Sequence, residues 1–227
     1  LFVIQLIEIQ VRPTVTISHL EGPNFANVLT GFGGRRILFV HNQIRQNYQV
    51  NNFFNQLKIG LVKMLYQRAD KVVGVSGGVC SDLIEFANVE REKVLCVPNP
   101  IDTLAVSEAS EKRYGDFRDR FLEQRYLINV ASLTPQKNHR LLLKVFHQLV
   151  TDNDRYSDLK LILLGEGECR QELHDLCVEL GLTTFEIGRK MPIYSEQVSF
   201  LGYESNPYPL FRHATLLVMT SIWEGLP

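Results

Sequence analysis

The chain has 227 residues, of which 45% are hydrophobic and 22% charged, with a formal net charge of -1. That is an ordinary soluble globular composition, long enough for one large or two modest domains. The charge balance lacks the basic stripe of nucleic-acid binders, so no nucleic-acid partner is expected. No apolar run reaches the roughly 18 to 20 residues of a membrane span, and the opening "LFVIQLIEIQVRP" carries neither a basic leader nor a cleavage site, so a cytoplasmic location is expected. The chain begins without methionine and stops at "WEGLP" directly after an apolar run, as a fragment cut at both ends would.

In chain order, short apolar runs rich in β-branched residues recur: "TVTIS" (14–18), "RILFVH" (36–41), "KVVGVS" (71–76), "KVLCVP" (93–98), "YLINVAS" (126–132), "LKLILLG" (159–165), "VSFLG" (198–202) and "TLLVMTS" (215–221). Nearly continuous apolar strands alternating with helices indicate parallel sheets covered on both faces, an α/β fold. Helical spacing places Leu57, Leu61, Met64 and Leu65 on one stripe of a helix over 55–69, and Leu142, Val145, Phe146 and Leu149 on one over 139–151. A third helix, 168–180, lines up Leu173, Leu176, Cys177 and Leu180 and stops at Gly181. All three stripes are expected to be core. The polar stretch "SEASEKRYGDFRDRFLEQR" after the stiff turn "PNPID" marks a boundary, a charged linker or short exposed helix over 105–125 between a domain at 1–104 and one at 126–227.

Candidate chemistry gathers at strand ends. The loop "LTPQKN" after the strand at 126–132 leads into a helix, and a helix N-terminus after a parallel strand is an anion site of backbone N–H groups. Lys137 adds a point charge suited to phosphate. In "LLGEGECR", Gly165 and Gly167 would let a ligand or another loop approach the backbone closely. No G-x-G-x-x-G follows any strand, which counts against a dinucleotide dehydrogenase. Past the last strand, Glu224 beside Gly225 could accept hydrogen bonds from sugar hydroxyls, with the amides after it meeting a phosphate. His41 and Asn42 stand just past a strand end, where a histidine serves as acid or base, hydroxyl donor or capped loop residue. No Glu or His spacing suits a metal. Cys80, Cys96, Cys169 and Cys177 form no C-x-x-C pair and are expected as reduced, buried thiols.

Taken in order, "RADKVVGVSGGVCSDLI" (68–84), "KVLCVPNPID" (93–102), "INVASLTPQKNHRLLLKVF" (128–146), "LKLILLGEGECRQEL" (159–173) and "VSFLGYESNPYPLFRHATLLVMTSIWEGLP" (198–227) resemble a GT-B glycosyltransferase of the retaining family 4 type, glycosyl transferases group 1. The resemblance runs from about residue 14 to the end. It implies two Rossmann-like domains with parallel sheets facing across a cleft, the N-terminal acceptor-side domain incomplete and the C-terminal nucleotide-sugar domain truncated. It implies a hexosyl- or N-acetylhexosaminyl-transferase that moves a sugar, without a metal or other cofactor, from a nucleotide-diphosphate donor, UDP being the favoured nucleotide, to a hydroxyl of a carbohydrate or lipid-linked acceptor. Polysaccharide or glycolipid synthesis and peripheral contact with the inner face of a membrane are implied with it.

By the same resemblance Lys137 and Asn138 occupy the diphosphate position, and Glu224 is the first acid of a Glu-x7-Glu motif that binds donor-sugar hydroxyls. The amides of Gly225 and Leu226 lie beside it, and His41 lines the donor-sugar pocket. Ala131-Ser132 stand where the family often has Gly-Arg, so Ser132 offers a neutral bond in place of a cation; Arg189 or Lys190, in the long stretch "TTFEIGRKMPIYSEQ", are the candidates to compensate. The second acid of the motif would fall eight positions after Glu224, beyond Pro227, so the 227-residue chain by itself is expected to show little or no transfer. The competing readings are a nucleotide-sugar 2-epimerase on the same fold and a non-catalytic sugar-nucleotide binding subunit.

Overall fold

A computed structural model of the chain describes residues 2–31, 34–48, 53–186 and 196–225. The fold divides into two α/β units, Leu1–Pro100 with Trp223–Pro227, and Ile101–Ile222. Every strand pairing among the described residues is parallel.

The first unit runs α1 (Phe2–Val11), β1 (Val15–His19), α2 (Glu21–Thr30), β2 (Arg35–Val40), α3 (Ile44–Asn47), α4 (Phe53–Leu65), β3 (Lys71–Gly74), α5 (Gly77–Glu85) and β4 (Val94–Cys96). Its sheet has the order β1-β2-β3-β4. Side chains two apart on a strand share a face, so Leu38 and Val40 of β2 point together into a core with Val28 of α2, Val62 and Leu65 of α4, and Val79 and Leu83 of α5. Full burial of such a side chain contributes about 1.5–3 kcal/mol. Of the stripe expected on α4, Leu61 and Leu65 pack into the core, joined by Val62 and the following Tyr66, whereas Leu57 and Met64 are 54% and 50% exposed. β4 lies at the sheet edge, which is why Cys96 is exposed and Cys80, which faces it, only half-buried. The expectation of four buried thiols holds for Cys177 alone.

The second unit runs α6 (Thr103–Ser110), β5 (Tyr126–Val130), α7 (His139–Asp152), β6 (Lys160–Leu164), α8 (Arg170–Glu179), β7 (Thr184–Glu186), β8 (Val198–Gly202), α9 (Tyr208–His213) and β9 (Leu216–Leu217). The sheet order is β7-β8-β6-β5-β9. Alternation along β6 sends Leu161 and Leu163 to one face, against Leu142, Leu143 and Phe146 of α7 and Leu173, Leu176 and Cys177 of α8. Ile162 and Leu164 go to the other face, against Phe121, Leu122, Phe185 and Leu210. Val145 of α7 lies outside this contact, half-exposed. α8 ends where Gly181 takes φ +69°, a left-handed backbone that glycine adopts without strain.

Two boundaries differ from the sequence expectation. The stretch read as a linker belongs to the second unit: Asp102 caps α6, accepting from Ala105 N at 2.9 Å, and Phe121 and Leu122 are buried in the second core. Local charge hid this because the two apolar side chains are spaced among arginines, aspartates and glutamate. The final residues, from Trp223, group with the first unit. β7 is an additional edge strand whose three residues gave no run long enough to recognise. Among the described residues, no helix is long and apolar enough to cross a membrane.

Candidate functional site

In the second unit the strand order reverses at β5: β6 lies on one side of it and β9 on the other. Helices leaving such neighbours go to opposite faces and open a crevice at the strand ends, the usual ligand position in open α/β sheets. The loop after β5 contains a 3-10 turn, Pro135–Lys137, and then Asn138 in the left-handed region at φ 51°, from which α7 departs. Asparagine tolerates that conformation better than other non-glycine residues. Asn138 makes no side-chain capping bond to α7, and Lys137 is half-buried at the mouth of the helix.

A ladder of bonds ties this turn to the segment after β9. Thr220 Oγ1 donates to the carbonyls of Lys137 and Asn138, each at 3.1 Å, and Ile222 N donates to Gln136 O at 2.8 Å. Beneath them Asn129 Nδ2 donates to Val218 O at 2.7 Å, where the β9 ladder stops, well short of the expected 215–221 strand. With its amide nitrogen so engaged, Asn129 presents Oδ1 as acceptor, and His139 Nε2, 2.8 Å away, carries the proton. His139 is 2% exposed. Burial, reinforced by the charge of Lys137, pushes its pKa down to about 4. A neutral imidazole thus sits under the Lys137 turn, beside the charge of the lysine and the N-terminus of α7.

Ser132 and Gly165 come together at the ends of β5 and β6, lining a cavity of about 330 Å³ with Val130, Ala131, Glu166, Tyr203 and Glu204. Gly165 has φ +140°, and a Cβ there would overlap the carbonyl oxygen of Ala131. The loop after β5 thus approaches this glycine closely, at the Ala131 carbonyl. Around the rim, Arg170 Nη1 pairs with Glu166 at 2.7 Å, Arg118 pairs with Glu204, and Tyr203 is 81% exposed. Sequence reading missed Glu166, Tyr203 and Glu204; their position just past β6 and β8 was the available signal. Asn138 lines a separate cavity of about 120 Å³ with His139, Arg140 and Glu172. Arg189, Lys190 and Leu226 lie outside the described residues.

In the first unit His41 follows β2 and lines a cavity of about 190 Å³ with Glu21, Asn24, Asn42 and Tyr66. Asn24, buried, holds the strand end: its Nδ2 donates to Phe39 O at 3.0 Å and its Oδ1 accepts from Ser18 Oγ at 2.7 Å. Asp82, from α5, accepts from Ile44 N at 2.6 Å and Arg45 N at 3.1 Å, capping the short α3 that follows the His41 loop. His41 Nε2 lies 3.0 Å from His19 Nδ1; burial first, then charge on His19, lowers its pKa. Gly225 packs so that a Cβ would overlap the His41 carbonyl oxygen, and Ser76 Oγ donates to Gly225 O at 2.6 Å. Glu224, next in chain, is half-buried. His19, Asn24 and Asp82 were not read from the sequence, since each acts through residues distant in the chain. Among the described residues no group of three or more His, Cys, Asp or Glu is placed to hold a metal ion.

Residues 2–104 match the family described as Glycosyltransferase Family 4, and residues 116–227 match the family described as Glycosyl transferases group 1. A relative from Campylobacter jejuni, N-acetylgalactosamine-N,N'-diacetylbacillosaminyl-diphospho-undecaprenol 4-alpha-N-acetylgalactosaminyltransferase, is 28% identical over 91% of this chain and 51% of its own length. An uncharacterized glycosyltransferase of Methanocaldococcus jannaschii, MJ1059, is 31% identical over 84% of this chain and 43% of its own. The chain thus spans about half the length of these curated relatives. Among solved structures, Anabaena Alr3699/HepE in complex with UDP superposes with a TM-score of 0.72 at 16% identity, over 96% of this chain and 56% of that one.

Proposed function

This chain belongs to the GT-B glycosyltransferases, and from that premise we propose that the complete protein moves a sugar from a UDP-linked donor to a hydroxyl of a lipid-linked or polysaccharide acceptor, with net retention. The observation that carries the reading is the Lys137 turn, bonded to the segment after β9 at the point where the strand order of the second unit reverses. A cation and a helix N-terminus there suit a diphosphate. The solved UDP complex of the Anabaena protein and the diphospho-undecaprenol in the name of the Campylobacter relative support UDP as nucleotide and a lipid-linked sugar as acceptor. Peripheral contact with a membrane follows from such an acceptor.

In this reading the protein works mainly by electrostatics. As the bond from sugar to diphosphate breaks, negative charge grows on the leaving phosphate, where Lys137 Nζ and the first amides of α7 stabilise it. The departing phosphate oxygen takes the acceptor hydroxyl's proton as the new bond forms on the same face. Glu224 accepts from donor-sugar hydroxyls, and His41 bonds another. The test is transfer by the complete protein from a UDP-N-acetylhexosamine to a polyprenyl-diphosphate-linked sugar. UDP release that requires acceptor is expected; donor conversion without acceptor would favour the epimerase, and donor binding without turnover the non-catalytic subunit.

A further inference from the structure

We propose that His19 is a positioning residue for His41, engaging its Nε2 so that Nδ1 is the atom His41 presents to the donor sugar; the inference rests on the reading of His41 just given. The β1–β2 register sets His19 beside Phe39, and their rings stack at 4.6 Å with 21° between planes. His41, two residues beyond Phe39, projects from the same face, which brings its ring centroid to 5.3 Å from that of His19. The polar outcome is the 3.0 Å contact between His19 Nδ1 and His41 Nε2.

Between two neutral imidazoles one nitrogen donates and the other accepts, so this single bond couples the tautomer of one ring to that of the other. It also occupies Nε2 of His41, and only Nδ1 is left to meet a hydroxyl. Burial, and after it the coulombic effect of His19, lowers the His41 pKa, which favours the neutral ring that holds one proton at one nitrogen. The other titratable groups lining the cavity are Glu21 and Tyr66; Tyr48 donates to Glu21, and Asp82 caps α3 with Arg45 alongside.

Three variants of the complete protein test this: His19→Phe, which keeps the stack on Phe39 and removes the bond; His19→Asn, whose amide nitrogen or oxygen sits near the position of Nδ1; and His41→Ala. The readouts are kcat and KM for the donor, the pH dependence of kcat/KM, and the imidazole 15N spectrum. His19→Phe is expected to lower kcat about tenfold, equivalent to about 1.4 kcal/mol, the scale of one hydrogen bond, with KM nearly unchanged. Its acid limb should move to higher pH, because the like charge of His19 is gone, and the His41 tautomers should redistribute. His19→Asn should recover most of kcat. Wild-type kcat, acid limb and tautomer ratio in His19→Phe, with His41→Ala impaired, would overturn this proposal alone. Undiminished turnover in His41→Ala would overturn it together with the reading of His41.

Discussion

Acidification probes the buried histidine under the Lys137 turn. The folded pKa of His139, about 4, lies below the 6.5 of an unfolded histidine. Between those values the unfolded chain binds more protons than the folded one, so the stability of the neutral imidazole is fully present above pH 6.5 and is lost as pH falls toward 4. Linkage over that interval gives a loss of about 2 kcal/mol on going from pH 8 to pH 5. His139→Gln keeps a donor for Asn129 Oδ1 and cannot titrate, so urea unfolding followed by circular dichroism, at both pH values and for both proteins, isolates the contribution. Every other titrating group cancels in the difference. The wild type should lose about 2 kcal/mol more than the variant in the transition of the second unit; equal losses would refute a buried, neutral His139.

Two substitutions test how the strand ends are held. Gly165→Ala forces a Cβ into the Ala131 carbonyl at φ +140° and should destabilise the second unit by about 1–3 kcal/mol, seen as a lower denaturant midpoint; an unchanged midpoint would show that the two loops separate freely. Asp82→Asn removes the charge that holds the two backbone amides at the start of α3, and its cost should be about 1–2 kcal/mol in the first unit, with faster hydrogen exchange at Ile44 and Arg45. Normal protection at both amides would mean that the cap does not depend on that charge.

The alternation of apolar runs with helices was enough to read parallel sheets, because β2, β3, β5, β6 and β8 are interior strands and their centres are apolar on both faces. The edges were harder: β7 is short, and β9 stops at Leu217 because the Asn129 side chain, remote in sequence, takes the next carbonyl. Leu57, Met64 and Val145 fit a helical stripe, yet which of two adjoining stripes faces the sheet is decided by tertiary packing. Lys137, Ser132, Gly165, Glu224 and His41 were candidates because strand ends and loops carry chemistry in α/β folds, and each lies past the end of a strand. The residues that hold them, Thr220, Asn129, His139, Asp82 and His19, were not legible as partners, since a hydrogen bond between positions tens of residues apart has no local pattern.

The central claim is that the Lys137 turn receives a nucleotide diphosphate, and the most direct measurement is calorimetric titration of UDP into the complete protein and its Lys137→Ala variant. Losing one charge-assisted bond of about 1.5–3 kcal/mol predicts affinity lower by a factor of about ten to a hundred, with the unfolding midpoint nearly unchanged. Equal affinity for UDP in the two proteins would contradict the assignment.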